Sequence, residues 1–229
     1  MSHDKDHIFG FALPRMTDHE KASFVLVEDH VGIADALGYA LCAQLPLRIA
    51  GHCDRVGKAL VLCAEIKPAL VIFDWRMPEG EGVALPRALA QTLPQTRWLL
   101  YTAFPSAFVV REAVEAGTHG CVSKGAPHQE LVNACQELLA GRTYFCQESA
   151  RALRVVLANH SRDSELNSTE QKILFYVACG MEPKDISLSV GVSVGTVRNY
   201  LVQIRQKLCV SSMVNLAKYA VDHGFAPPQ

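Results

Sequence analysis

The chain has 229 residues, a formal net charge of −1 and a composition that is 49% hydrophobic and 20% charged. This length suggests one large or two modest domains, and the composition is typical of a globular protein with a buried core. Because the overall charge is close to zero, the chain as a whole is not attracted to DNA, and any DNA contact must use a local basic face.

Residues 1–22 are predicted to form a flexible N-terminal extension. Its first residues are polar and lack a secretory pattern, and no apolar stretch of the chain approaches the ~20 residues that span a bilayer. These features favour a cytoplasmic protein without a membrane partner.

Five short apolar runs, separated by stretches with helical spacing, predict a sheet over residues 23–145. The runs are residues 24–27, 47–51, 70–73, 98–101 and 120–123. Runs that are apolar on both faces are typical of parallel strands covered by helices. The helical stripes include Ile33 and Leu37 in the first helix, and Pro86 is expected in the first turn of another. We therefore predict a doubly wound α/β domain with a five-stranded parallel sheet.

Four of the predicted strands end at groups suited to phosphate or metal chemistry, which are Asp29, Asp74, Thr102 and Lys124. Ligands of parallel α/β sheets bind outside the carboxyl ends of the strands, so these groups are expected at one site. Carboxylates such as Glu28, Asp29 and Asp74 suit Mg²⁺, while a lysine offsets charge on a transferring phosphoryl group. The sequence therefore predicts a site for Mg²⁺ and a phosphoryl group.

Residues 146–163 are predicted to be a linker with some helical character, and residues 164–229 to be an all-α domain of four short helices. Residues 168–171 have the spacing of a capping box, and Ser193 is placed to cap the third helix. Gly191 supplies the turn between the second and third helices. This order of helix, glycine-containing turn and helix is typical of a helix-turn-helix.

The strand-end residues resemble the receiver domain of bacterial two-component response regulators. The matching pieces are Val27-Glu28-Asp29, Asp74-Trp75-Arg76-Met77-Pro78 with Gly82, Tyr101-Thr102-Ala103 and Ser123-Lys124. The resemblance implies that Asp74 accepts a phosphoryl group from a sensor histidine kinase and that Thr102 hydrogen-bonds it. It also implies that Glu28, Asp29, Asp74 and the backbone carbonyl of Arg76 hold Mg²⁺.

One position departs from the receiver pattern. The family usually has Tyr or Phe three residues before the lysine, where this chain has Cys121. A small thiol cannot swing a ring between inward and outward packing, so activation is expected to be muted or to depend on dimer contacts. His30 is read as a partly exposed residue at a helix start, with a metal ligand as the alternative.

The C-terminal part resembles the LuxR-type helix-turn-helix of NarL/FixJ-like regulators. The matching pieces are Leu166-Asn167-Ser168-Thr169-Glu170, Gly180, Lys184-Asp185-Ile186 and Val192-Ser193-Val194-Gly195-Thr196-Val197-Arg198. The resemblance implies that the helix around 193–208 enters the major groove of double-stranded DNA. The residues expected to contact DNA are Lys184, Val194, Thr196, Arg198, Asn199, Val202, Arg205 and Lys207.

Base and phosphate contacts are expected from different members of this set. Arg198 suits guanine edges or phosphate and Asn199 suits adenine, whereas Lys184, Arg205 and Lys207 suit phosphates. The family often has lysine where this chain has Val202, so we expect weaker phosphate anchoring and a flatter salt dependence.

The sequence predicts a phosphorylation-controlled transcriptional regulator that binds paired DNA sites as a homodimer when active. A first alternative is a constitutive DNA-binding regulator whose receiver serves only for dimerisation. A second is a Mg²⁺-dependent aspartyl phosphohydrolase. Such enzymes need a second acid two residues after the nucleophile, where this chain has Arg76, so we predict no enzyme and only slow autodephosphorylation. The eight cysteines lack a C-x-x-C pair and are predicted to be mostly buried, reduced thiols.

Overall fold

The computed structural model describes residues 22–78, 80–158 and 166–225, with backbone only for 155–158. The predicted N-terminal extension, apart from its last residue, and the polar part of the predicted linker lie outside these ranges.

The N-terminal domain alternates strands and helices as predicted. Its strands are β1 (Ala22–Val27), β2 (Leu47–Cys53), β3 (Leu70–Phe73), β4 (Arg76–Met77), β5 (Gly80–Glu81), β6 (Arg97–Thr102), β7 (Gly120–Ser123) and β8 (Tyr144–Phe145). Its helices are α1 (Val31–Gln44), α2 (Val56–Ile66), α3 (Ala84–Leu89), α4 (Ala107–Glu115) and α5 (His128–Leu139).

The main sheet has the order β2-β1-β3-β6-β7-β8, and each neighbouring pair is parallel. The five predicted strands are all present, but the sheet has six strands because β8 adds to the edge of β7. A separate antiparallel pair, β4 with β5, follows Asp74 directly. Strands of two residues carry no detectable periodicity, which explains why the sequence did not predict them.

Apolar side chains cover both faces of the sheet, as the continuous apolar runs predict. One cluster lies under α1 and α5, and the other lies under α2, α3 and α4 and continues into the C-terminal domain. The prediction for α1 was partly wrong, because Ile33 is exposed and Ala34 and Gly38 are buried instead. This helix is apolar around most of its circumference, so spacing alone does not select its buried face.

The first part of the predicted linker is an ordered helix, α6 (Gln147–Ala158), which packs on α4 and β7. Ser149 in this helix is buried, and its hydroxyl donates a 2.6 Å hydrogen bond to the backbone carbonyl of Cys121. The N-terminal domain therefore holds the start of the connection to the C-terminal domain.

The C-terminal domain consists of α7 (Ser168–Ala178), α8 (Pro183–Val190), α9 (Val194–Lys207) and α10 (Met213–Asp222). Ser193 caps α9 as predicted, and Gly191 has a positive φ of 73° that suits the turn before it. The capping box of α7 is formed by Asn167 with Glu170, one residue earlier than predicted. The α/β domain and the four-helix domain are both confirmed.

Candidate functional site

The carboxyl edge of the sheet brings together three of the predicted site residues in one ion cluster. The ammonium nitrogen of Lys124, after β7, lies 2.6 Å from Oε2 of Glu28, after β1, and 2.8 Å from Oδ2 of Asp74, after β3. Thr102, the last residue of β6, is buried, and its carbonyl accepts a hydrogen bond from the backbone N–H of Lys124 at 2.7 Å. The hydroxyl of Thr102 accepts a hydrogen bond from the N–H of Phe104.

Burial acts on both members of the ion pair between Asp74 and Lys124, with different results. Burial raises the pKa of Asp74, and the single nearby ammonium of Lys124 offsets this only in part, while the charge of Glu28 raises it further. Burial lowers the pKa of Lys124, but hydrogen bonds to Asp74 and Glu28 outweigh burial and leave this pKa raised. The charged form of Lys124 is therefore favoured because two acids surround it.

Hard oxygen donors at this edge fit a divalent cation such as Mg²⁺. Ligand atoms of Glu28, Asp29 and His30 lie within 4.8 Å of one another. Asp74 lies near this group, because the ammonium of Lys124 contacts both Asp74 and Glu28. Arg76, whose carbonyl was predicted to complete the metal shell, lines the same cleft as Asp29. Carboxylate and carbonyl oxygens are the donors that Mg²⁺ accepts most readily.

His30 begins α1 with an exposed side chain, as predicted for a residue at a helix start. Its Nδ1 lies 2.8 Å from Oδ1 of Asp29 and 3.1 Å from Oε1 of Glu28. The hydrogen bond with Glu28, followed by the charge of Asp29, raises the pKa of His30.

Trp75 connects the candidate site to the C-terminal domain, a role that the sequence analysis missed. Its backbone N–H donates a 2.6 Å hydrogen bond to Oδ1 of Asp74. Its fully buried ring packs edge-on against Phe108 of α4 and against Phe175 of α7, with centroid distances of 6.0 Å in both cases. A tryptophan directly after a strand-end acid was the available signal, but its partner Phe175 lies far along the chain.

Glu81 provides a second, polar contact between the domains that the sequence did not indicate. Its carboxylate accepts hydrogen bonds from Nζ of Lys172 at 2.7 Å and from the hydroxyl of Tyr176 at 3.2 Å. Burial and the neighbouring Glu81 raise the pKa of Tyr176. An open cleft of ≈ 300 Å³ beside this contact is lined by Asp29 and Arg76 on one side and by Asp185 and Leu188 of α8 on the other.

The residues predicted to contact DNA lie on α8 and α9 of the C-terminal domain. Lys184, Arg198, Asn199, Val202 and Lys207 are exposed, whereas Val194, Thr196 and Arg205 are partly buried. This side of α9 is accessible while the two domains are in contact.

Three of these side chains also have contacts within the domain. Nζ of Lys207 lies 2.7 Å from the buried carboxylate of Glu170, and Thr196 Oγ1 lies 2.8 Å from the Ser193 hydroxyl. Arg205 donates to the carbonyl of Leu201. Arg198 and Asn199 are thus better placed to reach base edges than Lys207 or Thr196.

The cysteines are free thiols, and most are removed from solvent. Cys53, Cys63, Cys121, Cys135 and Cys146 are buried, while Cys42 and Cys209 are exposed. Burial raises the pKa of Cys63 and of Cys135 to about 12, so these groups stay neutral thiols at ordinary pH. The prediction of mostly buried, reduced thiols agrees with this arrangement.

Within the described part of the chain, no helix combines the length and the apolar character that crossing a membrane requires.

Comparisons with known proteins cover both domains. Residues 24–136 match the family model described as response regulator receiver domain, and residues 164–220 match that of bacterial regulatory proteins, luxR family. The transcriptional activator protein ExaE of Pseudomonas putida is 33% identical over 209 residues, which cover 87% of this chain and 96% of ExaE. The DNA-binding transcriptional activator DevR/DosR of Mycobacterium tuberculosis is 29% identical over 201 residues, which cover 86% of this chain and 93% of that protein.

Solved structures share the fold. RcsB from Salmonella enterica serovar Typhimurium, bound to promoter rprA in the presence of the phosphomimetic BeF3-, matches with a TM-score of 0.64 at 18% sequence identity. The match covers 87% of this chain and 98% of the RcsB chain.

Proposed function

Because the chain belongs to the LuxR-type two-component response regulators, which are DNA-binding transcriptional regulators, we propose that Asp74 accepts a phosphoryl group and that this modification controls DNA binding. The observation that carries the proposal is the joint contact of Lys124 with Asp74 and Glu28 at the carboxyl edge of the sheet. A cation between two acids is suited to receive the oxygens of an incoming phosphoryl group.

In the proposed transfer, a carboxylate oxygen of Asp74 attacks phosphorus. The O–P bond forms as the bond between phosphorus and the donor breaks, and the donor leaves with the electron pair and takes up a proton. Lys124 turns from the carboxylates to the oxygens of the bound phosphoryl group, and Thr102 donates its hydroxyl to another of them. Glu28, Asp29, Asp74 and the Arg76 carbonyl would hold a Mg²⁺ ion, which would neutralise charge on the transferring group.

The proposed partners follow from the two domains. The phosphoryl donor is a sensor histidine kinase, and the target is double-stranded DNA contacted by the exposed side of α9. RcsB binds promoter rprA in the presence of the phosphomimetic BeF3-, and the shared fold is compatible with DNA binding by a phosphorylated form of this chain. We also propose that the active form is a homodimer and that the protein acts in the cytoplasm, where its DNA is.

A labelling experiment tests the proposal. Incubation with Mg²⁺ and radiolabelled acetyl phosphate is expected to label the wild type but not the Asp74→Asn variant. Asp54→Asn is the matched control, because Asp54 is an exposed acid paired with Lys58 outside the site. Equal labelling of Asp74→Asn and wild type would contradict the proposal.

Constitutive DNA binding remains the second candidate, and one observation favours it. Arg198, Asn199 and Val202 of α9 are exposed while the domains are in contact, so the receiver leaves these side chains accessible. DNA affinity measured with and without beryllofluoride separates the candidates. Equal affinities support the constitutive regulator, and tighter binding with beryllofluoride supports phosphorylation control.

The phosphohydrolase alternative does not stand, because the family consists of transcriptional regulators and not of enzymes. The position two residues after Asp74 holds Arg76, which cannot protonate a leaving group as an acid would.

A further inference from the structure

We propose that Trp75 carries the phosphorylation state of Asp74 to the DNA-binding domain, in place of the aromatic residue that position 121 lacks. This inference rests on the proposed function, because it requires phosphorylation of Asp74.

The contact at Asp74 senses the charge of the carboxylate. The N–H of Trp75 donates to Oδ1, and Lys124 occupies Oδ2. If Oδ2 bonds to phosphorus, Oδ1 becomes a neutral carbonyl oxygen; if Oδ1 bonds to phosphorus, it becomes the bridging oxygen of an acyl phosphate. Either product replaces an ionised acceptor for the Trp75 N–H by a neutral one, and charge-assisted hydrogen bonds are about twice as strong as neutral ones. Phosphorylation therefore weakens the hold of Asp74 on the Trp75 peptide.

The other end of the same residue lies between the domains. The Trp75 ring contacts Phe108 of the receiver and Phe175 of α7, and Phe108 stacks in turn on Phe175 at 5.3 Å and on Phe225 at 5.8 Å. Protein interiors are close-packed, so a shift of the buried indole ring of Trp75 displaces the rings that it contacts. Phe175 and Phe225 both belong to the DNA-binding domain.

The indole N–H of Trp75 makes the docked arrangement less than optimal. Its Nε1 is buried, and among the described residues it has no hydrogen-bond partner. A buried donor without an acceptor is unfavourable, and exposure to water removes that cost.

Hydrogen bonds tie residues 75–77 to residues 80–82 after Asp74. The N–H of Gly82 donates to the carbonyl of Trp75 at 2.9 Å, and a side chain at position 82 would lie 1.9 Å from the carbonyl oxygen of Asp74. This segment also contains Glu81, which holds Lys172 of α7. Movement of the Trp75 peptide thus reaches α7 through an apolar and a polar contact together.

The rival route runs through Thr102. Its hydroxyl accepts from the N–H of Phe104, and the N–H of Ser106, the cap of α4, donates to the carbonyl of Phe104. A turn of the Thr102 side chain would therefore act on α4 and on Phe108. Cys121 offers no ring to follow that turn, and its carbonyl is held by Ser149.

The test compares single variants of the full chain. Trp75→Leu removes the ring, and Phe175→Leu removes its partner on the other domain without touching the receiver. Trp98→Leu is the matched control, since Trp98 is equally buried and also has an indole N–H without a partner among the described residues. Labelling of Asp74 by acetyl phosphate is measured on one sample of each protein. On a separate, unlabelled sample, amide hydrogen exchange of residues 168–178 is measured with and without Mg²⁺ and beryllofluoride.

Wild type and Trp98→Leu are expected to show at least tenfold faster exchange in α7 with beryllofluoride. Trp75→Leu and Phe175→Leu are expected to take up label normally but to exchange fast in both conditions. A wild-type response in Trp75→Leu and Phe175→Leu overturns the inference and assigns the signal to the route through Thr102. Failure of the wild type to take up label overturns the proposed function itself, which the labelling reports separately.

Discussion

The ammonium nitrogen of Lys124, after β7, lies 2.8 Å from Oδ2 of Asp74, after β3, and both side chains are largely buried. The same ammonium also lies 2.6 Å from Glu28. Two acids in a poorly solvated site therefore depend on one cation, and loss of that cation leaves both uncompensated.

Lys124→Met is expected to lower the free energy of unfolding by about 3 kcal/mol, because removal of one partner from a buried ion pair leaves a buried charge. Added Mg²⁺ is expected to restore part of that loss, since a cation bound to Glu28, Asp29 and Asp74 replaces the missing charge. Urea unfolding of wild type and variant, with and without roughly 10 mM Mg²⁺, measures the loss of stability and its partial recovery.

The control for this prediction is Lys58→Met. Lys58 lies 2.8 Å from Asp54, the same distance as in the site, but this pair is exposed. Its loss is expected to cost less than about 1 kcal/mol, with no dependence on Mg²⁺. Equal losses in the two variants would show that burial of the Lys124 cluster has no energetic effect.

The contact between Glu81 and Lys172 is expected to stabilise docking of the two domains. A double-mutant cycle with Glu81→Gln and Lys172→Met should give a coupling energy of about 1 kcal/mol, because Glu81 is nearly buried. The corresponding cycle for the exposed pair of Asp54 and Lys58 should give about 0.3 kcal/mol. Urea unfolding of the single and double variants measures both, and coupling no larger than in the exposed pair would contradict a docking role.

Arg198→Ala is expected to weaken specific DNA binding by about 1–3 kcal/mol and to relax the preference for one base, because Arg198 is exposed and suited to guanine edges. Lys184→Ala should weaken binding to all sequences alike and reduce the slope of log affinity against log salt by about 1. Fluorescence anisotropy on a DNA site selected in vitro, at several salt concentrations, measures these effects.

Lys67→Ala serves as the control for DNA binding, because Lys67 is an exposed residue of the receiver at the end of α2. It should leave affinity and salt slope unchanged. A loss in Arg198→Ala that matches the sequence-independent loss in Lys184→Ala would assign Arg198 to phosphate and not to a base.

Asn167→Ala is expected to destabilise the C-terminal domain by about 1 kcal/mol, since it removes the cap that accepts from the N–H of Glu170. Ser168→Ala, one residue later, should change stability by less than about 0.5 kcal/mol. Thermal or urea unfolding compares the two, and a larger effect at Ser168 would place the cap where the sequence first indicated it.

These caps show where sequence reasoning succeeds and where it stops. Asn167 with Glu170 and Ser168 with Gln171 both fit the spacing of a capping box, so only the backbone decides between them. By contrast, Asp74 and Lys124 could be placed at one edge, because the carboxyl ends of parallel strands must meet there.

The contacts between the domains lay beyond the sequence for a different reason. Trp75 suits the receiver core as well as an interdomain contact, and only the tertiary arrangement brings Phe175 onto its ring. Glu81 belongs to a two-residue strand with no period of its own. Leu188 of α8 is exposed beside the cleft, because a short helix with few apolar residues does not fix its own rotation from sequence alone.

The anchoring of α6 through Ser149 also limits the length of the linker between the domains. Ser149 holds the first turn of this helix to the receiver, and the helix continues to Ala158, so the connection from there to Leu166 can extend at most about 28 Å. A released DNA-binding domain thus stays at an effective concentration on the order of millimolar near its docking surface. The ratio of released to docked molecules is then an intramolecular equilibrium constant that does not depend on the protein concentration in the cell. A change of about 1.4 kcal/mol in the free energy of docking shifts this ratio tenfold.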